Sequence, residues 1–210
     1  MMDDATLRDH GVEPTGEAHV LLLACGALAR EILDILNTAG WAHMDLKCLP
    51  AILHNSPADI PDAVRKAVEQ HRTTYEKIYV VYADCGTGGL LQQTCDTLGV
   101  EMIAGPHCYS FFEGNAVFEA RGEMTCFYLT DFLVRQFDAF VIQPLGLDRH
   151  PELRDMYFGH YTTLVYQAQT NDAELTAKAK DCASRLGLGF ERRFTGYGDM
   201  QRAITSWAQA

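Results

Sequence analysis

Short apolar runs alternate along this chain with longer stretches whose apolar residues recur at helical spacing. No other feature limits the fold so strongly. His19-Val-Leu-Leu-Leu-Ala24 leads through Cys25 and Gly26 into helical patterning over about 27–38, which Gly40 ends. Further strands are predicted at about Met44–Leu49, Lys77–Ala83, Val100–Ala104, Ala139–Gln143, Thr163–Gln167 and Gly189–Phe194. Helices are predicted at about Pro61–Tyr75, from Gly89 to Leu98, and at Tyr128–Asp138, Pro151–Phe158 and Ala173–Leu186. Strands this apolar are buried on both faces, and strand–helix alternation builds parallel sheets through βαβ crossovers. The expected fold is therefore α/β: a mostly parallel, doubly wound sheet of repeated βαβ units in three αβα layers.

The chain has 210 residues, 48% of them hydrophobic, which suits one sizeable core. Residues 1–18, with Asp3, Asp4, Asp9, Glu13 and Glu17, read as a flexible leader, and 19–210 as a single α/β domain. That acidic leader is the opposite of a secretory signal. Leu22-Leu23-Ala24-Cys25 spells a lipoprotein cleavage box, but its apolar stretch is too short. A cytoplasmic protein is expected, with thiols reduced or metal-bound. No apolar run approaches the length that spans a bilayer. The formal charge is −11 and no stripe of Lys or Arg tracks a phosphate backbone, so neither membrane nor nucleic acid is an expected partner.

A repeat lies inside the alternation. Cys25-Gly26 and Cys85-Gly86 each follow an apolar strand and stand 60 residues apart; Cys48 and Cys108 follow them, each 23 residues on. An internal duplication over about 19–58 and 79–118 accounts for this. Parallel strands end on one edge, and ligands bind in the crevice beyond those ends. Four thiols at strand ends can meet there, with His54 and His107 supplying imidazole nitrogen. Soft thiolates with imidazole suit zinc or an iron–sulfur cluster, so Cys25, Cys48, Cys85, Cys108, His107 and His54 form the candidate ligand set. Cys95, Cys126 and Cys182 have no polar company and are expected to pack as small apolar residues.

Two other stretches carry polar chemistry. Gly86-Thr87-Gly88-Gly89 opens a helix, where backbone N–H groups can cradle an anionic cofactor or ligand; the bland reading is a tight turn. It lacks the lysine of a phosphate-binding loop. Asp148, Arg149 and His150 follow the fifth predicted strand and can hold a small anionic substrate or act as acid and base. Equally, Asp148 can cap a helix that opens at Pro151.

The strings LLLACGALAREI, CLPAILHNSP, YADCGTGG, GPHCYSFF, TDFLVRQFD, GLDRHPELRDMYFGHY and TGYG occur in that order from about Val20 to Tyr197. On these motifs the chain resembles the domain of unknown function 1638 family. The resemblance implies association with corrinoid-dependent methyl transfer, and a corrinoid or methyltransferase protein as partner. The Asp-x-His-x-x-Gly pattern of corrinoid carriers is absent, so the chain is not expected to be the carrier itself.

Three functions are therefore expected. The first is a metal- or iron–sulfur-binding protein of corrinoid-linked methyl or one-carbon metabolism, acting on a small anionic substrate. The second is a metal-free enzyme using Cys25 and Cys85 as acid and base on a small carboxylate. The third is a non-catalytic, redox-sensing accessory to a methyltransferase.

Overall fold

A computed structural model describes residues 3–210. In chain order the elements are α1 (Asp4–Asp9), β1 (Val20–Cys25), α2 (Ala29–Ala39), β2 (Met44–Leu49), α3 (Ile60–His71), β3 (Lys77–Val81), α4 (Leu90–Leu98), β4 (Glu101–Met102), α5 (Cys108–Glu113), α6 (Asn115–Arg121), β5 (Cys126–Leu129), α7 (Asp131–Arg135), α8 (Arg154–Phe158), β6 (Thr163–Ala168), α9 (Ala173–Leu186), β7 (Gly189–Phe194) and α10 (Gly198–Ala208). All strand pairs within the sheets are parallel and helices flank them, which makes the architecture α/β. No described helix is long and apolar enough to cross a membrane.

Where one domain is expected over 19–210, the chain packs as two compact units: residues up to Phe111 with Asp199–Ala210, and Phe112–Gly198. The strands divide accordingly, into a four-stranded sheet of order β2-β1-β3-β4 and a three-stranded sheet of order β5-β6-β7.

In the first unit, β1 is buried along its whole length and lies at the centre of the core. Leu21, Leu22 and Leu23 are fully enclosed, as are Ile32, Val64, Val68 and Val80. α10 joins this unit by stacking Trp207 on Tyr79, ring centroids 4.6 Å apart, while the indole N–H donates to Glu101 at 2.7 Å.

The segment expected to be a flexible leader is structured over the described residues. Asp3 caps α1, and Val12 forms an antiparallel bridge with Cys48 along the outer edge of β2, N–H to O distances 3.0 and 2.9 Å. Bare edge strands expose unpaired backbone groups, and this bridge covers part of that edge. It also explains how β2 buries charge. Asp45 accepts from Thr15 Oγ1, Gly16 N–H and Tyr75 O–H, each at 2.8 Å, and Lys47 pairs with Glu13.

In the second unit a core of Leu129, Val134, Phe137, Leu164, Tyr166 and Leu186 fills the space between the sheet and its helices. Two local expectations fail here. Residues 128–138, predicted as one helix, begin instead in β5, and α7 starts only after Thr130, whose side chain accepts from Leu133 N–H at 3.4 Å. The strand predicted over 139–143 is a π-helical turn, Asp138–Ile142, with Val141 and Ile142 turned into the core. A four-residue apolar run has no periodicity that separates a buried strand from a buried turn of helix.

Candidate functional site

In the four-stranded sheet the chain runs outward from β1 to β2, then returns to the other side of β1 for β3 and β4. The order reverses between β1 and β3, and beyond the carboxyl ends of those two strands lies the crevice in which α/β sheets bind ligands. Three of the candidate cysteines and one candidate histidine come together there.

Cys25 is the last residue of β1 and is buried. Its sulfur caps the short 3-10 turn Gly26–Leu28 by accepting the Ala27 N–H at 3.4 Å, and it lies 3.5 Å from His54 Nδ1. Gly26 is required at the next position: a Cβ there would stand 2.3 Å from the Leu7 carbonyl oxygen of α1 and 3.1 Å from that of Leu49. His54 comes from the 3-10 turn Ala51–Asn55 after β2, and its Nδ1 is 3.3 Å from the Ala51 carbonyl. The same ring hydrogen-bonds Cys85.

Cys85 lies four residues past β3, half-buried, and is the one non-glycine residue among those described with a left-handed backbone, φ 51°. L-residues adopt that region at a cost, and such strain gathers at functional sites. Cys108 opens α5, also half-buried, and the N–H groups of Cys108 and Tyr109 point at its sulfur. Cys108 feels the charges of both Cys85 and Cys25.

Burial dominates the electrostatics. It pushes the Cys25 thiol up to about 12, against the opposing pull of the Ala27 N–H. It likewise raises Cys108, with Cys85 and Cys25 adding to the shift. For His54 burial opposes protonation, but the hydrogen bond to Cys85, the charge of that sulfur and the Ala51 carbonyl outweigh it and raise the imidazole. Burial thus favours the neutral thiol at Cys25 and Cys108.

The other sequence candidates lie elsewhere. Cys48 is inside β2, fully buried, and the register sets it beside Ala24, not Cys25; neighbouring strand residues point to opposite faces. Burial raises its thiol. His107 is exposed, its ring 5.8 Å from that of Tyr109, and its carbonyl accepts from Ser110 Oγ at 2.6 Å.

In the Gly86–Gly89 loop the donors are occupied from within. Asp84 accepts from Thr87 Oγ1 at 2.8 Å, Gly88 N–H at 3.1 Å and Gly89 N–H at 2.7 Å, and the loop's own N–H groups hold that carboxyl below its usual range. The loop thus cradles its own carboxylate.

Asp148, Arg149 and His150 belong to the second unit and are exposed, with Arg149 3.7 Å from Asp148 and His150 3.2 Å from Glu152. Asp148 lines a cleft of about 480 Å3 together with Asp138, Arg154 and Arg185. Cys95 and Cys182 are core residues as expected, pushed up to about 11 by burial.

Sequence reasoning missed two residues of the rim. Asp84 is visible in retrospect as an acid three residues before a threonine in a glycine-rich turn, the signature of a side chain that folds back on its own loop. Tyr82 carries no such signal. Its hydroxyl is fully buried against the sulfur of Cys25, with Cys48 and Cys85 also near enough to act on it.

The model of the family described as "Protein of unknown function (DUF1638)" matches residues 48–204, well over half of the chain. The chain belongs to that family. The match spans His54, Tyr82, Cys85 and Cys108 and starts after Cys25. No curated protein and no solved structure matches.

Proposed function

We propose that this DUF1638 chain is a metal-thiolate protein whose centre is formed by Cys25, Cys85, Cys108 and His54, taking zinc or an iron–sulfur cluster. The observation that carries this reading is the convergence of three sulfurs and an imidazole, from four separate segments of the chain, on the switch-point crevice between β1 and β3. Two further features fit it. Backbone N–H groups already point at the sulfurs of Cys25 and Cys108, an arrangement that stabilises thiolate over thiol. Soft sulfur with imidazole nitrogen is also the donor set that thiophilic metals prefer.

Among the described residues no three His, Cys, Asp or Glu side chains are grouped to hold an ion as they stand. Ligation therefore requires the loops carrying Cys85 and Cys108 to close on it. Cys48 and His107 are outside the proposed ligand set. A metal held here would act as a Lewis acid, lowering the pKa of a substrate thiol or of bound water. The family resemblance supplies the setting, corrinoid-linked methyl or one-carbon transfer on a small anionic substrate with a corrinoid or methyltransferase protein as partner.

Metal and sulfide analysis of anaerobically purified protein tests the centre. Wild type is expected to carry about one equivalent of zinc or of cluster, and Cys85→Ser to lose most of it. Uptake should weaken as pH falls, because the metal must displace protons from Cys25 and Cys108. Less than about a tenth of an equivalent of any transition metal in wild type removes the proposal.

A further inference from the structure

The cleft of about 480 Å3 in the second unit holds charge of both signs that the metal-thiolate reading leaves unused, and its volume falls in the range of small-molecule sites. Its walls come from the π-helical turn Asp138–Ile142, the loop that follows, the start of α8 and the end of α9. The loop is tied down by its own backbone. Gly146 N–H donates to the Gln143 carbonyl at 3.0 Å, Leu147 N–H to that of Ile142 at 2.9 Å, and His150 N–H to that of Gly146 at 2.8 Å. A ligand therefore meets a cleft already formed, with Ile142, Leu147 and Pro151 as its apolar side.

Two guanidinium groups reach this cleft near the end of α9. Arg185 belongs to the last turn of that helix, and Arg154 lies over Gly187, where a Cβ would stand 3.3 Å from its Nη1. Each holds a carboxylate with part of its fork only: Arg154 gives Nε and Nη2 to Asp155 at 2.9 and 2.7 Å, and Arg185 gives Nη2 to Asp138. Arginine has five donors, and among the described residues no group accepts from Nη1 of either side chain. Asp148 is the converse. Its ion-pair partner among the described residues is Arg149 at 3.7 Å, too far for a hydrogen bond, so its carboxylate is an acceptor without a donor.

The cleft thus presents unused donors on Arg154 and Arg185 and an unused acceptor on Asp148. A simple anion meets the guanidinium groups but is repelled by Asp138 and Asp148, and a simple cation meets the reverse. A molecule that carries both charges satisfies both, while the repulsion rejects its singly charged analogues. We propose that this cleft binds the zwitterion of an apolar α-amino acid, its carboxylate on Arg154 and Arg185, its ammonium on Asp148 and its side chain against Ile142, Leu147 and Pro151. No metal takes part, so the site is independent of the centre proposed in the first unit.

Calorimetric titration of the full-length protein with L-leucine and L-phenylalanine tests this. Isocaproate, which is leucine without its ammonium, and isopentylamine, which is leucine without its carboxylate, are the comparison ligands. At least one amino acid is expected to bind saturably in the millimolar range or tighter, and each comparison ligand about fivefold or more weakly. Arg154→Gln should weaken leucine and isocaproate alike. Asp148→Asn should weaken leucine about fivefold and leave isocaproate unchanged or tighter, a split that damage to the fold would not produce. Arg65→Gln, on α3 with Asp62 and Glu69 as partners, should alter neither. No binding of either amino acid up to about 10 mM overturns the site. So does isocaproate or isopentylamine binding as tightly as leucine, an equal loss of both ligands in Asp148→Asn, or leucine binding that a chelator abolishes. None of these results bears on the metal centre.

Discussion

Cys85 shows how much a single position in the crevice is asked to do. Its backbone is left-handed at φ 51°, its side chain hydrogen-bonds His54, and it precedes a loop tied down by Asp84. A non-glycine residue in that region costs about 1–2 kcal/mol, and glycine there costs almost nothing. Glycine also frees the unfolded chain, which returns roughly 0.5–1 kcal/mol of that gain. In metal-free protein Cys85→Gly should therefore be more stable than Cys85→Ala by about 0.5 kcal/mol. Urea unfolding of the two variants measures this, and a more stable alanine variant would show that the site is not strained.

At the scale of elements, the Cys-Gly repeat was legible in the sequence and its two halves turn out to serve different needs. Gly26 admits the carbonyl of Leu7 from α1, whereas Gly86 takes φ 82° in a tight turn. Gly26→Ala would push a methyl against backbone that cannot swing aside. A loss of about 1–3 kcal/mol is expected, as for overpacked cores, together with faster amide exchange over residues 4–12 as α1 lifts away. Unaltered exchange in that segment would contradict the packing role. The strand–helix alternation was readable because β1, β3 and β6 bury nearly every residue and so stand out as apolar runs. The turn at Asp138–Ile142 was not, because four apolar residues, Ala139–Ile142, fit either a strand or a turn of helix. The site was legible to the same extent. Cys25, Cys85, Cys108 and His54 announce themselves by residue type at strand ends, but which of them face the crevice depends on register and loop path. Register is what takes Cys48 out of the crevice and brings Tyr82 in, and neither leaves a mark on the local sequence.

The whole molecule is acidic, yet in the second unit two of its acids, Glu123 and Glu191, are grouped around one base. Arg193, 11% exposed at its side chain, donates to Glu123 at 2.7 and 2.8 Å and to Glu191 at 2.6 Å, and Tyr128 O–H donates to Glu123 at 2.5 Å. The bond to Arg193 is the main cause that holds the Glu123 carboxyl down to about 2, from an ordinary 4.5; burial opposes it, and Tyr128 helps. A carboxyl lowered in the folded state contributes stability that is complete above its unfolded pKa and vanishes as pH falls through the folded one. The window therefore runs from about 4.5 down to about 2. Over it the difference amounts to on the order of 2 kcal/mol after discounting for the partial exposure of Glu123 and its shared partner. Both tryptophans, Trp41 and Trp207, lie in the first unit, so their fluorescence does not report on this. Amide exchange of β5, β6 and β7 does. Between pH 4.5 and pH 2.5 these strands should lose protection in wild type. Glu123→Gln should start from lower protection at neutral pH and change less across the same interval, because its amide keeps a hydrogen bond but no proton-linked charge. Equal slopes in the two proteins would assign the acid sensitivity of this unit to other carboxylates and leave Glu123 a spectator of Arg193.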